Sequence, residues 1–169
     1  MSKRFEVLSI QHAIGLVWKR DFPVGAALKA VADDLGDPEI SLVPDSVDIK
    51  EGDWVKLNSD REAEKSDGPS LLSFVVYTGG ERFDVRAGGR VTVLWGHYVA
   101  RTAGISPGIV VVQGTLLTPD DAVGKEGLLR VALSGEPVVG ITERPKLPGT
   151  TQFPDGFVEY STFLGAHAP

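Results

Sequence analysis

The sequence predicts a mainly β chain: a single β-barrel or sandwich body with one short N-terminal helix and extended terminal segments. Three observations carry this. From about residue 40 onward, short apolar runs recur at spacings of roughly 8–15 residues with turn residues between them. The chain holds 20 Gly and 11 Pro, many of them closing those runs. Val, Leu, Ile and Phe make up 51 of the 169 residues, well above the roughly 20% below which chains stay disordered. The length is about that of one domain, enough to hide about two thirds of the unfolded surface without disulfides.

Arg4-Phe5-Glu6-Val7-Leu8-Ser9-Ile10 alternates polar and apolar residues, the period of a half-buried strand. Ala13-Ile14-Gly15-Leu16-Val17-Trp18 follows as a short apolar run. Asp21-Phe22-Pro23 predicts a helix start, with Pro23 near the first helical position. Val24, Ala27, Leu28, Val31 and Leu35 then share one helical face, and Gly36 stands where a stop belongs. This is the single helix the pattern predicts, weakened by about 1 kcal/mol at Gly25.

Beyond it, strands are expected in residues 40–43, 47–49, 54–57, 71–77, 83–85, 90–95, 109–112, 128–133, 137–142 and 157–163. Residues 58–69 are charged and almost free of apolar side chains, which predicts a solvated loop. Parallel βαβ units require a helical crossover per strand, and the spacing leaves no room for them. One domain is expected in three parts: an N-terminal strand and helix segment (1–39), the β body (40–142) and an aromatic tail containing Pro and Gly (143–169).

The sequence offers little that resembles catalytic machinery. It contains no Cys, hence no disulfide and no thiolate ligand or nucleophile. His12, His97 and His167 lack metal-ligand spacing. The glycines of residues 79–89 join strand to strand and do not match a dinucleotide fingerprint; Gly124-Lys125 is followed by Glu126, so it is no P-loop. Asp33-Asp34 and Asp120-Asp121 lack the apolar flanks that raise the pKa of a general acid, and Asp120 reads as a turn cap. No Gly-x-Ser-x-Gly elbow occurs. The expectation is a protein that is not an enzyme and uses no cofactor and no metal. A net charge of −6, with 17 Lys and Arg spread along the chain, predicts no nucleic-acid partner. No apolar run approaches ~18 residues, so no membrane-spanning helix is expected, and the N-terminus does not read as a secretory signal.

Binding is the class that remains. Trp18, Trp54 and Trp95 either fill the core or anchor a surface. Phe153, Phe157, Tyr160 and Phe163 fall close together among Pro154, Gly156 and Gly165. They form either a last strand or a tail that docks on a neighbour. Phe153, Phe157, Tyr160, Phe163 and Trp18 are therefore the candidate interface residues.

Three stretches together resemble a known family. Ile49-Lys50-Glu51-Gly52-Asp53-Trp54-Val55-Lys56-Leu57 is similar to a strand opened by a Gly-Asp turn in small phage virion proteins. Phe83-Asp84-Val85 leading through Gly88-Gly89 to Arg90-Val91-Thr92-Val93-Leu94-Trp95-Gly96 looks like their paired strands. Gly127-Leu128-Leu129-Arg130-Val131-Ala132, followed by Gly135-Glu136-Pro137-Val138-Val139-Gly140-Ile141, resembles their closing hairpin. The family is that of the capsid decoration, or cement, proteins of tailed bacteriophages, some with a β-tulip body. The resemblance covers about residues 47–142. It implies a structural virion protein, made in the host cytoplasm, that sits on the capsid exterior and stabilises contacts between major capsid protein subunits. It also implies a homo-oligomer, with a trimer favoured. A phage tail-tube or adaptor protein is the alternative, and a small β-barrel enzyme with a site between subunits is a third reading from another class.

Overall fold

Alternating burial organises the strands. In β7 (Tyr98–Thr102), Tyr98, Ala100 and Thr102 are buried while Val99 and Arg101 are partly exposed, the two-residue period of a sheet with one covered face. A computed structural model describes residues 3–10, 18–24, 49–77 and 90–169, and every helix or strand among them is a strand. The others are β1 (Phe5–Ile10), β2 (Trp18–Pro23), β3 (Trp54–Leu57), β4 (Ala63–Lys65), β5 (Ser73–Val76), β6 (Arg90–Trp95), β8 (Leu116–Pro119), β9 (Leu129–Val131), β10 (Pro137–Leu147) and β11 (Phe157–His167).

The strands form two antiparallel sheets. Six run in the order β1-β7-β11-β10-β8-β9 and five in the order β2-β6-β5-β3-β4. The sheets share one core, in which Trp54, Val75 and Leu94 of the five-stranded sheet meet Phe5, Tyr98, Leu117, Leu129 and Tyr160 of the other. The rings of Trp54 and Tyr160 lie 6.5 Å apart across that core. Gly140 makes room for them: a Cβ there would stand 2.8 Å from the Tyr160 ring, so β10 can pass close only with no side chain at that position.

The opposite face of the five-stranded sheet carries a second apolar cluster, including Phe22, Ile49, Val55, Phe74, Val76, Val91 and Val93. With both faces buried, all four residues of β5 are buried, which is why this stretch reads as a continuous apolar run rather than an alternating one. On the six-stranded sheet a ladder of alternating charge crosses four strands. Glu6 and Glu159 each stand opposite Arg101, and Arg144 stands opposite Glu159. Arg101 Nε is 3.0 Å from Glu159, and its Nη1 is 3.6 Å from Glu6.

Several expectations need correction. The two sheets do not close into a barrel; among the described strands, β1 and β9 edge one, β2 and β4 the other. Asp21, Phe22 and Pro23 do not start a helix but pair with Thr92, Val91 and Arg90. Pro23 is tolerated at β2, which stands at the edge of the sheet among the described strands. Residues 25–35 of the expected helix lie outside the described residues. Residues 58–69 are not all loop, because Ala63 is fully buried and seats β4 beside β3. Residues 109–112, the most β-branched run, are not a strand. Nor are the ends extended segments: β1 and β2 belong to the two sheets, and β11 lies between β7 and β10 in the interior of its sheet.

Candidate interaction surface

Two turns flank β9. The first, residues 120–128, is set by Asp120, which is buried. Its Oδ1 accepts the Ala122 amide at 2.9 Å, an Asx turn, and its Oδ2 accepts the Ser106 hydroxyl. The turn-capping role expected of Asp120 is thus present. The second turn, residues 132–136, closes where the Glu136 amide donates to Leu133 O at 3.1 Å and the Glu136 carboxylate accepts the Leu133 amide at 2.8 Å.

Arg130, in the middle of β9, ties the two turns together. Its Nε donates to Asp121 of the first turn at 2.9 Å. Its two terminal nitrogens grip both carboxylate oxygens of Glu136 in the second, at 2.7 and 2.8 Å. These charge-assisted bonds hold the Glu136 and Asp121 carboxyls below their usual range, and the bonds to Glu136 raise the guanidinium. Each braced turn presents one large apolar side chain to solvent: Val123 is 95% exposed and Leu133 64%. Rigid turns bearing unburied apolar groups have the makings of a contact surface.

The buried charge of Asp53 serves a different end. It accepts a hydrogen bond from Arg4 of the N-terminal segment and one from the Lys50 amide at 2.8 Å, and Lys65 Nζ of β4 lies 3.6 Å away. Burial pushes its carboxyl up, against the pull of Arg4, the Lys50 amide and Lys65. With these partners it locks β1, β3 and β4 together. Between the sheets, a cavity of about 20 Å³ touches Trp54, Ser73, Tyr98 and Thr162. It has room for about one water, not for a substrate.

The residues singled out from the sequence are not gathered on one surface. Phe153, Phe157 and Tyr160 are buried in their own chain, at 1%, 7% and 0% exposure. The Phe153 and Phe157 rings pack 5.0 Å apart, tilted by 45°, and Arg101 lies over the Phe157 ring at 5.1 Å. Phe157 and Tyr160 thus belong to the last strand and Phe153 to the turn before it, and none of the three is exposed to dock on a neighbour. Phe163 belongs to β11 and Trp18 opens β2 opposite Trp95, but their side chains lie outside the described residues. His97 is half-buried and His167 exposed; His12, Asp33 and Asp34 lie outside the described residues.

Among the described residues, no group of three or more metal-ligating side chains could hold an ion, and no helix is long and apolar enough to cross a membrane. The residues that sequence reasoning missed are Val123, Leu133 and their brace Arg130. The signal available was slight: a valine between Ala122 and Gly124 in a turn that has no need of it. Compared with protein-family models and with curated proteins, the chain matches none.

Proposed function

We propose that this is a structural virion protein that docks on the outer surface of a bacteriophage capsid and holds neighbouring major capsid protein subunits together. The observation that carries the reading is the pair of Arg130-braced turns, each presenting one exposed apolar side chain, Val123 and Leu133. A surface fixed before contact loses little conformational entropy on docking. An apolar side chain buried by a partner contributes roughly 1.5–3 kcal/mol, so each copy binds modestly. On a lattice with many equivalent positions, modest contacts suffice. A protein that binds only the assembled shell shifts the equilibrium toward the shell by mass action. Such a mechanism calls for no cofactor and no chemical step.

The test mixes purified protein with expanded phage heads and follows co-sedimentation, cryo-electron microscopy and the heat resistance of the heads. Decoration of the exterior and a higher melting temperature of the heads are expected. A variant carrying Val123→Asp and Leu133→Asp should bind about a hundredfold or more weakly, with its own fold unchanged. Absence of binding to heads ends the reading. Rings or tubes formed by the protein alone would favour the tail-tube alternative.

A further inference from the structure

The segment joining β7 to β8 holds an exposed apolar side chain beside a cavity. Residues 107–112 read Pro107-Gly108-Ile109-Val110-Val111-Val112. Val111 turns inward to the intersheet core, while Val110 between its two neighbours is 83% exposed. Gly108 has φ +82°, a left-handed turn that redirects the chain out of β geometry. Beside this loop, against the start of β11, opens a cavity of about 90 Å³ lined by Ile105, Ile109, Val111 and Phe157 and also by the hydroxyl residues Thr102 and Ser106. That is several times the ~10–15 Å³ a single water needs, and it suits a branched aliphatic side chain. Val110 is not among the residues that line it. Lys146 and Asp155, both exposed, stand at its mouth, and neither has an ion pair among the described residues.

We propose that this face binds a second copy of the same chain, with Val110 of each copy entering the cavity of the other and Lys146 of each pairing with Asp155 of the other. Knob and hole lie on one loop, so a two-fold axis beside that loop brings each knob to the other's hole. The charges favour the same occupant: each mouth carries one positive and one negative group, and a two-fold brings them together as two opposite pairs. A single knob falls far short of the ~800 Å² per partner of a stable interface. The reciprocal exchange doubles the contact, and the exposed tip between β10 and β11 widens it. The expected association is therefore weak and concentration-dependent, and it is two-fold rather than the threefold that the family resemblance implies. The pairing does not rest on the capsid reading and is measured without capsids.

Sedimentation velocity over a concentration series tests it. The unaltered protein should show a reversible monomer–dimer equilibrium. Val110→Asp, on an exposed side chain and with an unchanged circular dichroism spectrum, should weaken the dimer about tenfold by setting a carboxylate against the Ile105, Ile109, Val111 and Phe157 side chains. Lys146→Glu and Asp155→Lys should each weaken it alone. Mixed in equal amounts, these two variants should form a heterodimer, since every cross-pair is then again of opposite sign. The proposal is overturned if the unaltered protein stays monomeric at the highest attainable concentration. It is equally overturned if Val110→Asp dimerises undiminished, or if the mixed charge variants associate no better than either alone.

Discussion

Arg130 and Glu136 form a two-point fork, with Nη1 2.7 Å from Oε2 and Nη2 2.8 Å from Oε1. Lysine cannot reproduce that geometry, since its ammonium is a point donor that reaches one oxygen at a time. Arg130 also serves Asp121 from Nε at 2.9 Å, so Arg130→Lys breaks the link between the two turns. The Arg130 side chain is 12% exposed and that of Asp121 58%, which tempers the loss through solvent screening. We expect Arg130→Lys to cost about 1 kcal/mol and Arg130→Ala about 2 kcal/mol, measured as a lower urea midpoint at unchanged slope. An unchanged midpoint for both variants would remove Arg130 as a brace.

Acid should release the same clamp. The Glu136 carboxyl is held below its usual value of 4.5 by the hydrogen bond from Arg130. Between the folded and unfolded values, the unfolded chain binds more protons, so this contribution to stability rises with pH. It is fully present above the unfolded value and is lost as pH falls through the lowered folded one. Unfolding free energies of the parent and of Glu136→Gln should therefore differ near neutrality and converge as the solution is acidified below pH 4.5. A constant gap across that window would show that the ion pair does not set the difference.

Asp53 makes a test of interior charge. Its side chain is fully buried, whereas the side chains of Arg4 and Lys65 retain 32% and 24% exposure. Removing the carboxylate leaves two cations that can turn to water, so the cost falls below that of a fully buried pair. Asp53→Ala should destabilise by about 2–3 kcal/mol. Asp53→Asn should cost less, because its carbonyl oxygen can still accept the Lys50 amide. Chemical denaturation of both variants gives the comparison; a larger loss for Asn than for Ala would reject it.

What the sequence disclosed depended on how many faces of each strand are covered. Trp54–Leu57, Ser73–Val76 and Arg90–Trp95 stand out as apolar runs because they build a sheet with apolar clusters on both faces. β7 and β8 escaped notice: Tyr98-Val99-Ala100-Arg101-Thr102 mixes small, charged and aromatic residues, and Leu116-Leu117-Thr118-Pro119 ends in a turn residue. Their place comes from long-range pairing with β11, β1 and β10, which no local pattern encodes. The converse failure is residues 109–112, whose β-branched side chains favour a strand although none of the described strands pairs with them. Val123 escapes notice because a single apolar residue in a turn carries no periodicity, and Leu133 reads as the end of a strand expected over 128–133, whereas β9 stops at Val131. Their meaning comes from Arg130, whose partners lie nine residues before it and six after it.

Deleting residues 146–169 separates the two views of the C-terminus most sharply. If that segment were a docking tail, the remainder would stay folded and lose only binding. The structure puts β11 between β7 and β10, with four register pairs to the first and seven to the second. Its loss opens two sheet edges at once, removes Tyr160 and Val158 from the shared core, and takes Phe153 and Phe157 with them. Each large apolar side chain so withdrawn forfeits roughly 1.5–3 kcal/mol, and the native state of such a domain is stable by only about 5–15 kcal/mol. The newly bared strands are also templates for aggregation. We therefore expect the truncated chain to show no cooperative thermal transition, to lose its near-ultraviolet circular dichroism and to elute as aggregate. A sharp melt and a monomeric elution from that variant would mean that the remaining strands close a core without β11, and that the last strand is an accessory after all.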